Sequence, residues 1–259
     1  MAHNIKSHIQ MPKKVLLNFE KNHRLAYYDV EQNFVGKNGH ASSINTKPGY
    51  YDESIEKDLN RNFETPFSEI LNEINKIDIN NPKWISNDNK NKIIIDFCVS
   101  LLIRNPYIKA KDVFPPYAIY DKAQENDLMI AMGLQVIDES MMQNYFATLT
   151  FNKTTIPFVL PVSGLVAIPF VNEEERILFP VTPQIAITLI SQKHIEDYRS
   201  NGEIIGFEYN DSEFIKYFNE LAFKAQCQYE WGYVVCPEKE ELDRLKSWWD
   251  NENNERQRN

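Results

Sequence analysis

Residues 177–190 read ILFPVTPQIAITLI, and this stretch decides the fold class of the chain. A Pro-Val-Thr-Pro turn separates two runs of apolar and β-branched residues, which is typical of adjacent strands. Similar short runs, bounded by Pro, Gly or Asn, precede it at residues 145–151, 158–160 and 165–170. Apolar side chains in these runs follow the two-residue period of a strand. We therefore predict a short antiparallel sheet over residues 145–190.

Upstream of this region a short strand is predicted at residues 25–30, with residues 34–35 as its hairpin partner. Elsewhere upstream the apolar residues recur every three or four positions, which predicts helices. The longest such stripe consists of Ile55, Leu59, Phe63, Phe67, Ile70, Leu71 and Ile74. Pro66 interrupts the stripe, so we expect a kink or a break there. A second helix ends at Arg104, before Asn105-Pro106, and a third is predicted over residues 122–144.

These patterns predict an α+β fold with a helical N-terminal half and a short antiparallel sheet in the second half. Helices at residues 212–229 and 239–259 are expected to pack back onto it. We expect one domain over residues 1–259, divisible into a helical part (1–144), a strand-rich part (145–236) and a charged C-terminal helix or tail (237–259). Four residues are predicted to share one core: Phe63, Phe97, Leu101 and Phe218.

Composition restricts the classes of partner and compartment. The net charge of -9 disfavours generic binding to nucleic acid, which requires a broad basic face. No apolar run is long enough to cross a membrane, and the 3 cysteines are neither paired nor arranged as a zinc site. We therefore expect a soluble cytoplasmic protein with no metal centre. A protein partner or a homo-oligomer remains open, and the cofactor requirement is unknown.

The order of several short motifs resembles an uncharacterised, mainly bacterial family, domain of unknown function 4238. The opening motif of that family is matched from Pro12 to Phe19, and the end of its Arg-bearing helix by Arg104-Asn105-Pro106. The best match is residues 179–183, FPVTP. The chain departs from the family at Ile9, where a His is usual, although His8 is adjacent. It also carries Ser163-Gly164 where relatives have Ser-Asp.

Three polar residues in or beside these motifs are candidates for a catalytic site. His8 could act as a general base near neutral pH, because the ordinary pKa of His is close to neutrality. Glu64 lies beside the expected helix break, where a carboxylate can turn inward. Arg104 could hold an anion with two parallel hydrogen bonds. Each residue also has a simpler interpretation: His8 as an exposed or capping residue, Glu64 as part of a solvated helix face, and Arg104 as a helix cap that forms an ion pair, with Glu64 as a candidate partner.

Two functions remain open. The first is an enzyme-like effector, a hydrolase or a nuclease, in bacterial defence against mobile elements. The second is a non-catalytic interaction or regulatory subunit, which the missing Asp at Gly164 favours. The basic pair Lys13-Lys14 is interpreted as ordinary solvated surface. A cleft shared by His8, Glu64 and Arg104 would support the enzyme, whereas a large exposed apolar patch would support the subunit.

Overall fold

A computed structural model describes residues 6–48, 50–51, 53–105, 141, 144–169, 175–200, 203–204 and 206–258. The α-helices are α1 Lys13–Leu17, α2 Glu53–Leu59, α3 Thr65–Ile74, α4 Asp88–Arg104, α5 Ser212–Gln228 and α6 Lys239–Arg258. The strands are β1 Lys6–His8, β2 Leu25–Asp29, β3 Phe34–Gly39, β4 Thr46–Pro48, β5 Tyr145–Asn152, β6 Leu160–Pro161, β7 Val166–Pro169, β8 Glu175–Pro180, β9 Ile185–Ser191, β10 Arg199–Ser200, β11 Glu203–Ile204, β12 Phe207–Tyr209 and β13 Tyr233–Cys236. The helix predicted over residues 122–144 lies almost wholly outside the described residues.

The larger sheet has five strands in the order β12-β5-β9-β8-β7. Its β5–β9, β9–β8 and β8–β7 pairs are antiparallel, as predicted for residues 145–190, and β12 joins β5 in parallel. Strand β5 is buried on both faces, with Ala147 and Leu149 on one side and Thr148 and Thr150 on the other. Buried on the second face, the Thr150 hydroxyl bonds the Thr188 hydroxyl at 2.6 Å.

The second sheet shows that the predicted α+β arrangement is wrong. It has four strands in the order β3-β2-β13-β6, and β2–β3 come from the half of the chain that was predicted to be helical. Two further N-terminal strands, β1 and β4, pair with each other. Helices also occur in both halves, so the fold is mixed α/β. In the pairing of β2 with β13, Asp29 lies opposite Tyr233. These two residues are far apart in the sequence, so local sequence patterns could not predict that their strands pair.

The irregularity predicted at Pro66 as a kink or a break is not a break, and it lies just before the proline. Residues Asn60–Glu64 form a π-helix that connects α2 to α3 without interruption. The wider π-helical turn lets the Thr65 amide bond to Asn60 O, and Pro66 follows at the start of α3, where a proline needs no amide donor. Such single π-helical turns often occur at functional sites. Glu64 is the last residue of this turn.

Two large cores flank the sheets. The first contains the apolar faces of α1, α3 and α4 against β5 and β9, and the second lies under α5 and α6. Phe97 and Leu101 belong to the first core, whereas Phe218 belongs to the second and Phe63 is only partly buried. The prediction that these four side chains share one core is therefore wrong. None of the described helices is both long and apolar enough to cross a membrane.

An aromatic stack forms the centre of the first core. The Phe67 and Phe97 rings are nearly parallel with centroids 3.7 Å apart, and Phe179 lies 5.9 Å from Phe97. Because Phe97 is completely buried, its truncation would leave a cavity that these neighbours cannot fill.

We predict that Phe97→Ala lowers the free energy of unfolding by about 3–5 kcal/mol. Urea denaturation monitored by circular dichroism measures this change. The matched control is Phe34→Ala, because Phe34 is 53% exposed and its loss should cost less than about 1 kcal/mol. Equal effects of the two substitutions would contradict the packing described.

Candidate functional site

The N-terminal segment crosses the molecule and reaches both α4 and the turn between β6 and β7. The side-chain amide Nε2 of Gln10 donates to Leu101 O at 2.7 Å and to Ser163 O at 3.1 Å. Gln10 is completely buried, so both bonds are shielded from water. On the other side of the segment, Tyr51 Oη donates to Ile9 O at 2.6 Å. These contacts hold the backbone around His8 in place.

His8, the last residue of β1, lines a cavity of about 440 Å³ between α1 and the α2–α3 helix. Glu64 and Asn60 of the π-helix also line this cavity. Its apolar lining includes Phe67 and Leu71 of α3. Its volume is in the range of small-molecule sites. The structure thus brings together two of the three predicted residues, His8 and Glu64, in one cavity.

The pKa of the His8 imidazole is lowered from 6.5 to about 4. Burial is the main cause, because a desolvated site disfavours the imidazolium form. The Glu64 carboxylate opposes the shift, whereas the Arg104 and Lys13 cations add to it. His8 is therefore neutral at pH 7, and its Nδ1 atom is buried without a hydrogen-bond partner in the part of the chain that the structure describes.

Arg104 lies beneath the cavity and is not one of its lining residues. Its Nη1 donates to Glu64 Oε1 at 2.8 Å, and its Nε donates to Ser100 O at 3.3 Å within α4. The Arg104 side chain is 2% exposed and that of Glu64 is 28% exposed. The Arg104 guanidinium is therefore not exposed to an external anion, and it forms the ion pair with Glu64 that the simpler interpretation predicted. Instead it orients and neutralises a carboxylate that reaches the cavity.

The turn at Ser163 explains why Gly replaces the Asp expected from the resemblance. Gly164 has φ +87, and a Cβ there would lie 2.8 Å from Leu101 Cδ1 and 3.2 Å from Met11 Cε. Both atoms are the ends of flexible side chains, so the positive φ is the stronger reason why a Gly suits this position. Ser163 is a turn residue, as predicted, and its buried hydroxyl has no partner among the described residues.

Sequence reasoning missed Gln10, Tyr51 and the basic pair as parts of this region. Gln10 and Tyr51 carried no signal, because a lone Gln or Tyr in a polar segment is usually exposed. Lys13 and Lys14 line the cavity, and their position directly after the His8 segment was the available signal. Within the described ranges, no cluster of three or more His, Cys, Asp or Glu side chains could hold a metal ion.

Comparisons with protein-family models, with curated proteins and with solved structures find no match. The resemblance to the domain of unknown function 4238 therefore stays a prediction. The geometry of the cavity is the observation that any functional proposal must use.

We predict strong coupling between Glu64 and Arg104. Glu64→Gln leaves the buried guanidinium uncompensated and should cost about 1–3 kcal/mol, below the range for a fully buried pair because Glu64 is partly exposed. In the double variant Glu64→Gln, Arg104→Met that buried charge is gone. Its loss of stability should therefore be smaller than the sum of the single losses, as a double-mutant cycle in urea would measure. Additive losses would contradict the pairing, and exposed Glu69→Gln is the control.

We predict that His8 makes the protein less stable in mild acid. Between its folded pKa of about 4 and its ordinary value of 6.5, the unfolded chain binds more protons than the folded chain. The stability that neutral His8 contributes is thus fully present above pH 6.5 and is lost as the pH falls towards 4.

Urea denaturation of wild type and His8→Asn at several pH values from 4 to 7 measures this contribution. As the pH falls from 7 to 4, the His8→Asn variant should lose less stability than wild type. The carboxylates titrate in both proteins, so their contribution cancels when the two curves are compared. His23→Asn, at an exposed position, serves as the control and should follow wild type. A His8→Asn curve parallel to that of wild type would show that His8 does not titrate differently on folding.

Proposed function

We propose that the chain is a hydrolase whose active site is the cavity lined by His8 and Glu64. The observation that supports this proposal is that a neutral, desolvated imidazole and an oriented carboxylate line the same small-molecule-sized cavity. Groups of this kind, held by the surrounding structure, can move a proton at a bound substrate.

In the proposed reaction His8 acts as the general base. Water attacks the electrophilic centre of a bound ester, the bond to the leaving oxygen breaks, and His8 transfers the proton of the water to that oxygen. A pKa of about 4 makes His8 a weak base in the free protein. An anionic substrate next to the imidazole would raise its pKa, because it stabilises the imidazolium form.

Glu64 is assigned a supporting role in this reaction. Its carboxylate opposes the lowering of the His8 pKa, and Arg104 keeps it in position at 2.8 Å. Arg104 is therefore a positioning residue. A role in defence against mobile elements, in the cytoplasm of a bacterium, extends this proposal from the sequence and rests on no contact described above.

The alternative, a non-catalytic interaction subunit, lacks a comparable observation. Large exposed apolar side chains of the described residues lie on separate elements: Leu17 on α1, Phe34 on β3, Ile85 before α4 and Tyr217 on α5. Leu17 itself lines the cavity. These side chains therefore do not support the presence of the large apolar docking patch expected for such a subunit.

The purified full-length chain should hydrolyse at least one of three p-nitrophenyl esters: the acetate, the phosphate or the bis-phosphodiester. We expect His8→Asn to lower kcat at least about 100-fold, the usual effect of losing a general base. Denaturation curves must show that the variant is folded, and His23→Asn should retain activity. If wild type hydrolyses none of the three esters, or if folded His8→Asn retains full kcat, the hydrolase proposal is wrong.

A further inference from the structure

The charges around the cavity differ in sign from those of the protein as a whole. The charged residues that line it are Lys13, Lys14 and Glu64, while the net charge of the chain is -9. Glu64 is neutralised by Arg104, at 2.8 Å. The two lysines therefore remain as the excess charge of the cavity, and neither belongs to an ion pair within the described part of the chain. An anion entering the cavity would meet a locally positive wall.

The two lysines approach the cavity from α1 on different sides. Lys13 is close enough to His8 to lower the pKa of its imidazole. Lys14 reaches across towards α3, where its Nζ lies 3.5 Å from Ser68 O. Both side chains are exposed, so their ammonium groups can turn towards a ligand at little cost. A ligand between them would meet one cation near His8 and one near α3.

The rest of the lining on α1 and α3 is largely apolar. Leu17, on the last turn of α1, is 44% exposed although it is a large aliphatic side chain. Leu71 and Phe67 continue this wall along α3, and the Phe67 ring is held against Phe97 at a centroid distance of 3.7 Å. The apolar wall is thus rigid on the α3 side and open to solvent at Leu17. Leu17 supplies most of the apolar surface that hydrocarbon or ring atoms of a ligand would remove from water, because Leu71 and Phe67 are only 1% and 2% exposed.

We propose that the cavity binds a phosphate monoester with a ring or hydrocarbon substituent, with the phosphate on Lys13 and Lys14 and the substituent on Leu17, Leu71 and Phe67. A phosphate monoester carries about -1.5 to -2 charges at neutral pH, which matches two cations better than a single carboxylate does. The volume of about 440 Å³ accommodates such a small molecule but not a folded nucleic acid duplex. This assignment rests on the proposed function, whose substrate it specifies.

The test uses phenyl phosphate, inorganic phosphate and phenol as probes, titrated calorimetrically into the full chain. We expect phenyl phosphate to bind at least about tenfold more tightly than either fragment, because only it contacts both walls. The double variant Lys13→Gln, Lys14→Gln should weaken phenyl phosphate at least about tenfold. Leu17→Asn should weaken phenyl phosphate and leave inorganic phosphate unchanged.

The matched control is Lys37→Gln, Lys76→Gln, which removes the same charge from exposed positions on β3 and after α3. It should bind phenyl phosphate as wild type does. Equal weakening in both double variants, or no binding of phenyl phosphate at millimolar concentration, would overturn the inference.

The binding test and the hydrolysis test can fail independently of each other, so they distinguish the two proposals. If phenyl phosphate binds through the two lysines but no p-nitrophenyl ester is hydrolysed, the ligand class stands and the hydrolase proposal falls. If esters are hydrolysed through His8 while the lysine variants bind phenyl phosphate normally, the ligand class falls and the hydrolase proposal stands.

Discussion

The carboxamide of Gln10 joins three remote parts of the chain, and the cavity depends on it. Through one nitrogen atom it ties the N-terminal segment to the end of α4 and to the turn before β7. A buried amide that lost these acceptors would retain its desolvation cost without compensation. The segment is thus confined to one path, and His8 can reach the cavity only along that path. Tyr51 adds a second attachment from the opposite side.

The chemistry of the cavity follows from unequal burial of neighbouring charged groups. The Arg104 side chain is buried, so its guanidinium does not contact solvent and pairs with Glu64 at the end of the π-helix. Burial lowers the pKa of the His8 imidazole, so His8 is neutral at pH 7, whereas the Lys13 and Lys14 side chains are exposed to solvent. A single short stretch of the chain, from β1 into α1, therefore supplies a neutral base and two cations. The charge state and the role of each of these residues therefore depend on how deeply its side chain is buried as well as on its residue type.

Local patterns predicted the elements better than their arrangement. The helical spacing around Phe97 predicted α4, and the apolar, β-branched run of residues 185–190 predicted β9, which is buried on both faces. The four-stranded sheet escaped prediction because β13 selects β2 by tertiary packing, and a four-residue strand has little pattern of its own. The site was predicted in part: motif spacing pointed to His8 and Glu64. Only coordinates reveal that Arg104 faces inward and that Gln10 anchors the segment.

The pairing of β2 with β13 also determines when a growing polypeptide can complete this structure on the ribosome. The β2–β3 hairpin is synthesised before β13, the strand that covers the free edge of β2, and strands β4 to β12 lie between them in the chain. Until then the hairpin presents unpaired backbone groups, which favour association with other chains. Nascent chains would expose this edge until β13 has emerged, and a product terminated before β13 would never cover it. This topology therefore favours the engagement of a chaperone during translation.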